Sequence, residues 1–98
     1  MIVNVYAYKN KLLDCFANPI YDDHNEEQVI VSVSRDLRAK VIQKDVENLR
    51  YLDLYKLGEF DDVKGVFVNS QHLLLDLGST IAGLEAQFKE KAQPVKEA

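Results

Sequence analysis

Apolar and polar positions alternate at the start of the chain. Val3, Val5 and Ala7 fall on one side of residues 2–8, and Ile2, Asn4, Tyr6 and Tyr8 fall on the other, which predicts a strand. Residues 9–25 break the pattern with Asn10, Asn18, Pro19, Asp22 and Asp23, and read as a hairpin remnant or long loop with little regular structure. The next segment supports two periods. QVIVSVS alternates like a strand, while Ile30, Val33, Leu37 and Val41 recur at helical spacing, and the length of that second pattern favours a helix over 26–42. Asn25 is placed to cap it and Gln28 to return the bond. Glu26 and Glu27 suit the positive end of the helix dipole, as Arg38 and Lys40 suit the negative end. The β-branched Val29, Ile30, Val31 and Val33 oppose this helix by about a few tenths of a kcal/mol each.

Alternation returns at 50–57, where Leu52 and Leu54 stand against Tyr51, Asp53 and Tyr55, and predicts a second strand. Asp61, Asp62 and Gly65 supply a turn that closes a hairpin onto a third strand at 66–68. Residues 72–79, HLLLDLGS, suit a short added strand or an irregular segment ended by Gly78. Ile81, Leu84 and Phe88, with a Glu85 to Lys89 pair, predict an amphipathic helix over 80–92 that Gly83 weakens. Residues 93–98 read as a disordered tail. The pattern therefore predicts a small α+β domain over 1–79 in β-α-β-β order, with the helix on one sheet face and a short C-terminal helix appended. A crossover through the first helix would make the first two strands neighbours and admits a parallel pairing.

Composition narrows the picture. A chain of 98 residues has room for one core. Such a core buries roughly 65% of the unfolded surface and leaves a stability of about 5–10 kcal/mol, so a subunit interface, and with it a homo-oligomer, is expected. Cys15 is the single cysteine, which rules out an internal disulfide, a thiolate zinc site and a CxxC pair, and fits a reducing compartment. The sequence shows neither a secretory leader nor an apolar run long enough to span a bilayer, so a cytosolic protein with no membrane partner is expected. A formal charge of −4 argues against a generally basic nucleic-acid coat.

Candidate chemistry is sparse. His24 and His72 are far apart in unlike contexts, and neither acidic run, Asp22 to Glu27 or Glu59 to Asp62, matches a calcium loop. No nucleophile elbow, phosphate loop, dinucleotide fingerprint or zinc helix occurs, and Cys15 has no base beside it. No enzyme activity, cofactor or metal is expected. Charge is nevertheless uneven: residues 12–34 carry five acids and no Lys or Arg, whereas 35–56 carry six bases against four acids. Arg35, Arg38 and Arg50, joined by Lys9 and Lys11, can form a basic edge, or simply the solvated flank of a helix. Tyr6 and Tyr8 share one strand face and Tyr51 and Tyr55 another. If the aliphatic faces pack under the helix, the four tyrosines form a platform facing away from it. That platform suits stacking of unpaired bases, with the nearby Lys and Arg on phosphates, and equally suits a sheet-to-sheet dimer interface.

One stretch carries a resemblance. Tyr55 to Asp61, YKLGEFD, with Asp62 and the turn glycine Gly65, resembles the hallmark of the small nonstructural proteins of gokushovirus-type Microviridae, single-stranded DNA bacteriophages. The opening strand at VYAYKNK, then Phe16 and Pro19 ahead of a helix bearing Arg35, is similar in layout, and the likeness covers about residues 3–68. The Val-rich helix and the extension from His72 depart from it. The resemblance implies a nonstructural protein made in the host bacterial cytoplasm and absent from the virion. By analogy with protein C of the phiX-like phages, it implies a DNA-binding or replication-associated role at the switch to single-stranded DNA synthesis. Its partners would be single-stranded DNA or a phage or host replication protein. It transfers no functional residues. The competing expectation is an oligomeric interaction module that engages a host or phage protein without touching nucleic acid.

Overall fold

The alternating residues at the N-terminus form β1, Ile2–Asn10, the strand against which the rest of the sheet is laid. The computed structural model describes residues 1–92. After β1 come β2 (Cys15–Phe16), β3 (Ile20–Asp22), α1 (Glu26–Ile42), a single 3₁₀ turn at Glu47–Leu49, β4 (Leu52–Asp61), β5 (Val66–Asp76) and α2 (Leu77–Ala92). The strands make one antiparallel sheet in the order β2-β1-β4-β5, and β3 lies with β2 along the outer edge of β1. The α+β class is as the pattern predicts.

Two expectations about strand pairing change. The segment 9–25 holds β2 and β3, because the Asn10 side chain accepts from the amides of Leu12 and Leu13 at 2.9 and 3.1 Å and turns the chain back onto β1. There β2 and β3 cover an edge that would otherwise present free amides and carbonyls. The second correction follows from the first. Since β3 returns the chain toward the start of β1, α1 climbs beside the sheet and β4 must descend, so the two long neighbours pair antiparallel instead of parallel.

The capping box at the start of α1 forms as expected: the Asn25 side chain accepts from the Gln28 amide at 2.9 Å, and the Gln28 side chain accepts from the Asn25 amide at 3.0 Å. Leu37 and Val41 are buried, with Val29 and Val33 packed behind them, so the apolar stripe runs at steps of four and uses Val29 where spacing pointed to Ile30. This burial outweighs the low helix propensity of the β-branched residues. Lys44, at φ +58°, ends the helix.

Both helices lie on one face of the sheet. Tyr6, Leu37, Val41, Val46, Leu54, Leu77 and Ile81 form the buried core, ringed by Tyr8, Leu49, Leu52, Leu84 and Phe88 among others. The C-terminal helix is therefore part of the domain and no appendage. It starts at Leu77, directly after β5, because the Asp76 carboxylate accepts from the Ser79 amide at 3.2 Å and its carbonyl accepts from the Thr80 hydroxyl at 2.9 Å. Gly78 consequently sits in the first turn and stops nothing; a Cβ there would lie 2.5 Å from the Arg50 carbonyl oxygen. The tail at 93–98 lies outside the described residues.

The β4–β5 hairpin closes as the turn residues predict. The Asp61 carboxylate accepts from the amides of Val63 and Lys64 at 3.0 and 3.1 Å, and Gly65 takes φ +69°. Both strands run longer than alternation suggested and are bulged. Leu57 has no partner on β1, and β5 carries extra residues at Ser70, Gln71 and Leu74. Gly58 lies beside the Leu57 bulge, where a Cβ would be 2.1 Å from the Val68 carbonyl oxygen.

Candidate interface on the uncovered sheet face

Side chains alternate across a strand, so Val3, Val5 and Ala7 face away from the helices. Their partners on β4 are Phe60, Gly58 and Tyr55, and the next row on β5 holds Phe67 opposite Phe60 and Leu73 opposite Tyr55. On the other edge Tyr21 pairs with Val5, and Phe16 with Lys9. The centre of this face is small, and the larger rings close over it: Val5 and Ala7 are buried, Phe16 meets Tyr55 edge-to-face at 5.3 Å, and Tyr21 meets Phe60 at 5.8 Å. The rings are themselves only partly covered, with Phe16 37%, Tyr21 60% and Phe67 47% exposed. Among the described residues no element lies over them.

The four-tyrosine platform does not form. Tyr6 is 2% exposed and points into the core, its hydroxyl donating to the His24 carbonyl at 2.8 Å. Tyr8, half-buried, fills the gap between α1 and the sheet. Burial pushes both phenols above their ordinary range, helped by Glu26 and Asp22 at Tyr6 and by Asp36 at Tyr8. Leu37 and Val41 of α1 and Leu77 and Ile81 of α2 pack with Tyr6 in one core, so the tyrosine face of β1 is the one the helices cover. Tyr51 precedes β4 and is exposed there. Of the four, Tyr55 alone joins the uncovered face. Phe16, Tyr21, Phe60 and Phe67 take the other places, and only cross-strand register could have found them.

The predicted basic edge is dispersed as well. Lys9 lies 5.7 Å above the Phe16 ring and 3.2 Å from Asp14. Lys11 bridges Asp53 and Asp76 at 3.2 and 3.4 Å, and these partners, Asp53 foremost, raise its pKa. The nearer Asp53 oxygen is buried without a hydrogen bond, so that contact is ionic and poorly aligned. Arg50 grips Glu85 with two bonds of 2.9 and 2.6 Å, which raises the arginine pKa and lowers that of the carboxyl. Arg38 stacks over Phe88 at 5.3 Å and ties α1 to α2, while Arg35 is exposed on α1. Lys9 and Lys11 border the aromatic face; the α1 arginines lie beyond the sheet from it.

The two histidines converge at the start of α1. His24 Nδ1 lies 2.5 Å from Asp22, which also accepts from the His24 amide, and Asp23 completes a group of possible ligands within 4.8 Å of one another. His72, on β5, bonds Glu26 in the first turn of α1. Beside His24 and Asp22 a cavity of about 260 Å³ opens against Tyr6, Tyr8, Val29 and Val33.

These features define a small α+β sheet protein with one helix-covered face and one aromatic face left open. No family model, curated protein or solved structure matches the chain. No helix among the described residues is long and apolar enough to cross a membrane.

Proposed function

We propose that this chain is a non-enzymatic nonstructural protein of a small single-stranded DNA phage, acting in viral DNA replication as a binding module whose contact surface is the open sheet face. The observation that carries the reading is the set of five rings on that face: Phe16, Tyr21, Tyr55, Phe60 and Phe67. Contiguous exposed apolar surface on a small protein marks an interaction site. Rings on a sheet stack unpaired bases at roughly 1–3 kcal/mol per base, with little regard to sequence. Lys9 and Lys11 are the cations within reach, and both already have carboxylate partners, so phosphates add little and the affinity for single-stranded DNA is weak.

Titration of labelled single-stranded DNA at a series of salt concentrations tests this. The expected slope of log K against log salt is about −1, as one or two phosphate contacts give. Tyr21→Ala with Phe67→Ala, both at exposed positions, is expected to abolish binding without unfolding the protein. Absence of binding at low salt overturns the DNA reading. The second reading, contact with a phage or host replication protein, is favoured by the internal pairing of Lys11, Lys56 and Arg50. Pull-down from infected cells with and without nuclease separates the two, since a protein contact survives nuclease.

A further inference from the structure

The two edges of the sheet are treated differently. The outer edge of β1 is covered by β2 and β3, whereas β5 is the last strand on its side and runs for 11 residues. An edge strand is a template for another chain unless charge, proline, a bulge or a covering element blunts it. The second half of β5 is blunted: extra residues at Ser70, Gln71 and Leu74 interrupt the pairing, and the Ser70 carbonyl and Gln71 amide are taken by His72 and Asn69 side chains. Residues 66–69 are not. This segment, VFVN, has no charge and no proline, and Val66, Phe67 and Val68 are 49%, 47% and 59% exposed.

We infer that Val66–Val68 of β5 pairs antiparallel with the same segment of a second copy across a two-fold axis, joining two five-stranded sheets into one. Face parity sets the register. Paired residues point to the same side, so an axis through Phe67 places Phe67 opposite Phe67 on the aromatic face and Val66 opposite Val68 on the other. A one-residue shift would set Phe67 against a valine that points the opposite way. Charge favours this edge over the rest of the surface. A chain of net charge −4 repels its copies over most of its surface, yet the segment that would meet its copy carries no charge. The area is modest: three residues a side bury roughly a few hundred Å² each, below the ~800 Å² per partner of a stable dimer, so association is reversible and rises with concentration. The pairing would also join the two aromatic faces, but it stands whether or not those faces bind DNA.

Sedimentation velocity over a concentration series is expected to show a monomer–dimer equilibrium that Val66→Lys with Val68→Lys abolishes while circular dichroism stays native. Register is read by cross-linking in a Cys15→Ser background. Directly opposed residues of an antiparallel pair have Cα atoms about 4.5–5.5 Å apart, within the range of a disulfide. Under mild oxidation Phe67→Cys is therefore expected to cross-link at least tenfold faster than Val66→Cys or Val68→Cys. A monomer at all concentrations overturns the inference, as does a dimer that survives the double lysine variant or cross-links equally at the three positions. These outcomes are independent of the DNA titration, since neither readout contains DNA.

Discussion

Single side chains on β1 decide what a mutation of this protein reports. Tyr6 lies in the core, so Tyr6→Ala is expected to cost about 3–5 kcal/mol, and any binding lost with it would reflect unfolding. Tyr6→Phe keeps the ring and removes the bond to the His24 carbonyl, with an expected loss of about 1 kcal/mol in urea denaturation. His72 is a second informative position. The Ser70 carbonyl and then Glu26 raise its pKa above the ordinary histidine value of 6.5, against burial and the charge of Lys56 on β4. His24 is raised likewise by Asp22. A histidine raised in the folded state contributes stability fully below its unfolded pKa and loses it as pH rises through the folded value. The wild type should therefore lose stability as pH climbs above about 6.5. Asp22 is lowered, first by the His24 amide, so its contribution is lost in acid, as pH falls below about 3.8 through the folded value. Urea midpoints measured from pH 5 to 8.5 check the upper limb, which His72→Gln should flatten. An unchanged curve would show that the His72 contact contributes nothing.

At the level of elements, local signals and packing agree in α1 and the hairpin turn and part company elsewhere. Capping chemistry is local, which is why Asn25 and Gln28 located the start of α1 from the sequence; Asn25→Ala is expected to cost about 1 kcal/mol of stability. The turn at Asp61 to Gly65 was legible for the same reason. The short β2 and β3 were not, because two or three residues carry no periodicity and are strands only by virtue of the β1 edge beside them. Gly58 belongs with them. It lies within the YKLGEFD stretch, and what it provides is room for the Val68 carbonyl and the Phe67 ring across the bulge. Gly58→Ala is expected to cost about 2–3 kcal/mol by overpacking, with the thermal midpoint as the measure; a neutral result would mean that β5 can step away from β4 freely.

For the molecule as a whole, what matters is which sheet face the helices take. They cover Tyr6, Tyr8, Leu52 and Leu54 and leave the rings of Phe16, Tyr21, Tyr55, Phe60 and Phe67 outside. The candidate site is thus aromatic, as the tyrosine count suggested, but made of different residues. One tyrosine of the four expected is present, and the arginines of α1 are on the far side. Binding measured after substitution of Arg35 should accordingly be unchanged, whereas loss of Tyr21 and Phe67 should remove it. An effect of Arg35→Ala equal to that of the ring substitutions would place the ligand on the helices instead.

By itself the sequence determined the α+β class, the bounds and cap of α1, the hairpin turn and the sorting of β1 into two faces. All of these rest on neighbours within a few residues of one another. Tertiary structure alone decided which face of β1 is inside, that β1 and β4 are antiparallel, and that Phe16 and Phe67, 51 positions apart, share a surface. Period two separates the faces of a strand without naming the buried one. That choice depends on which face meets the apolar stripes of the two helices, and those stripes are carried by residues distant in the chain.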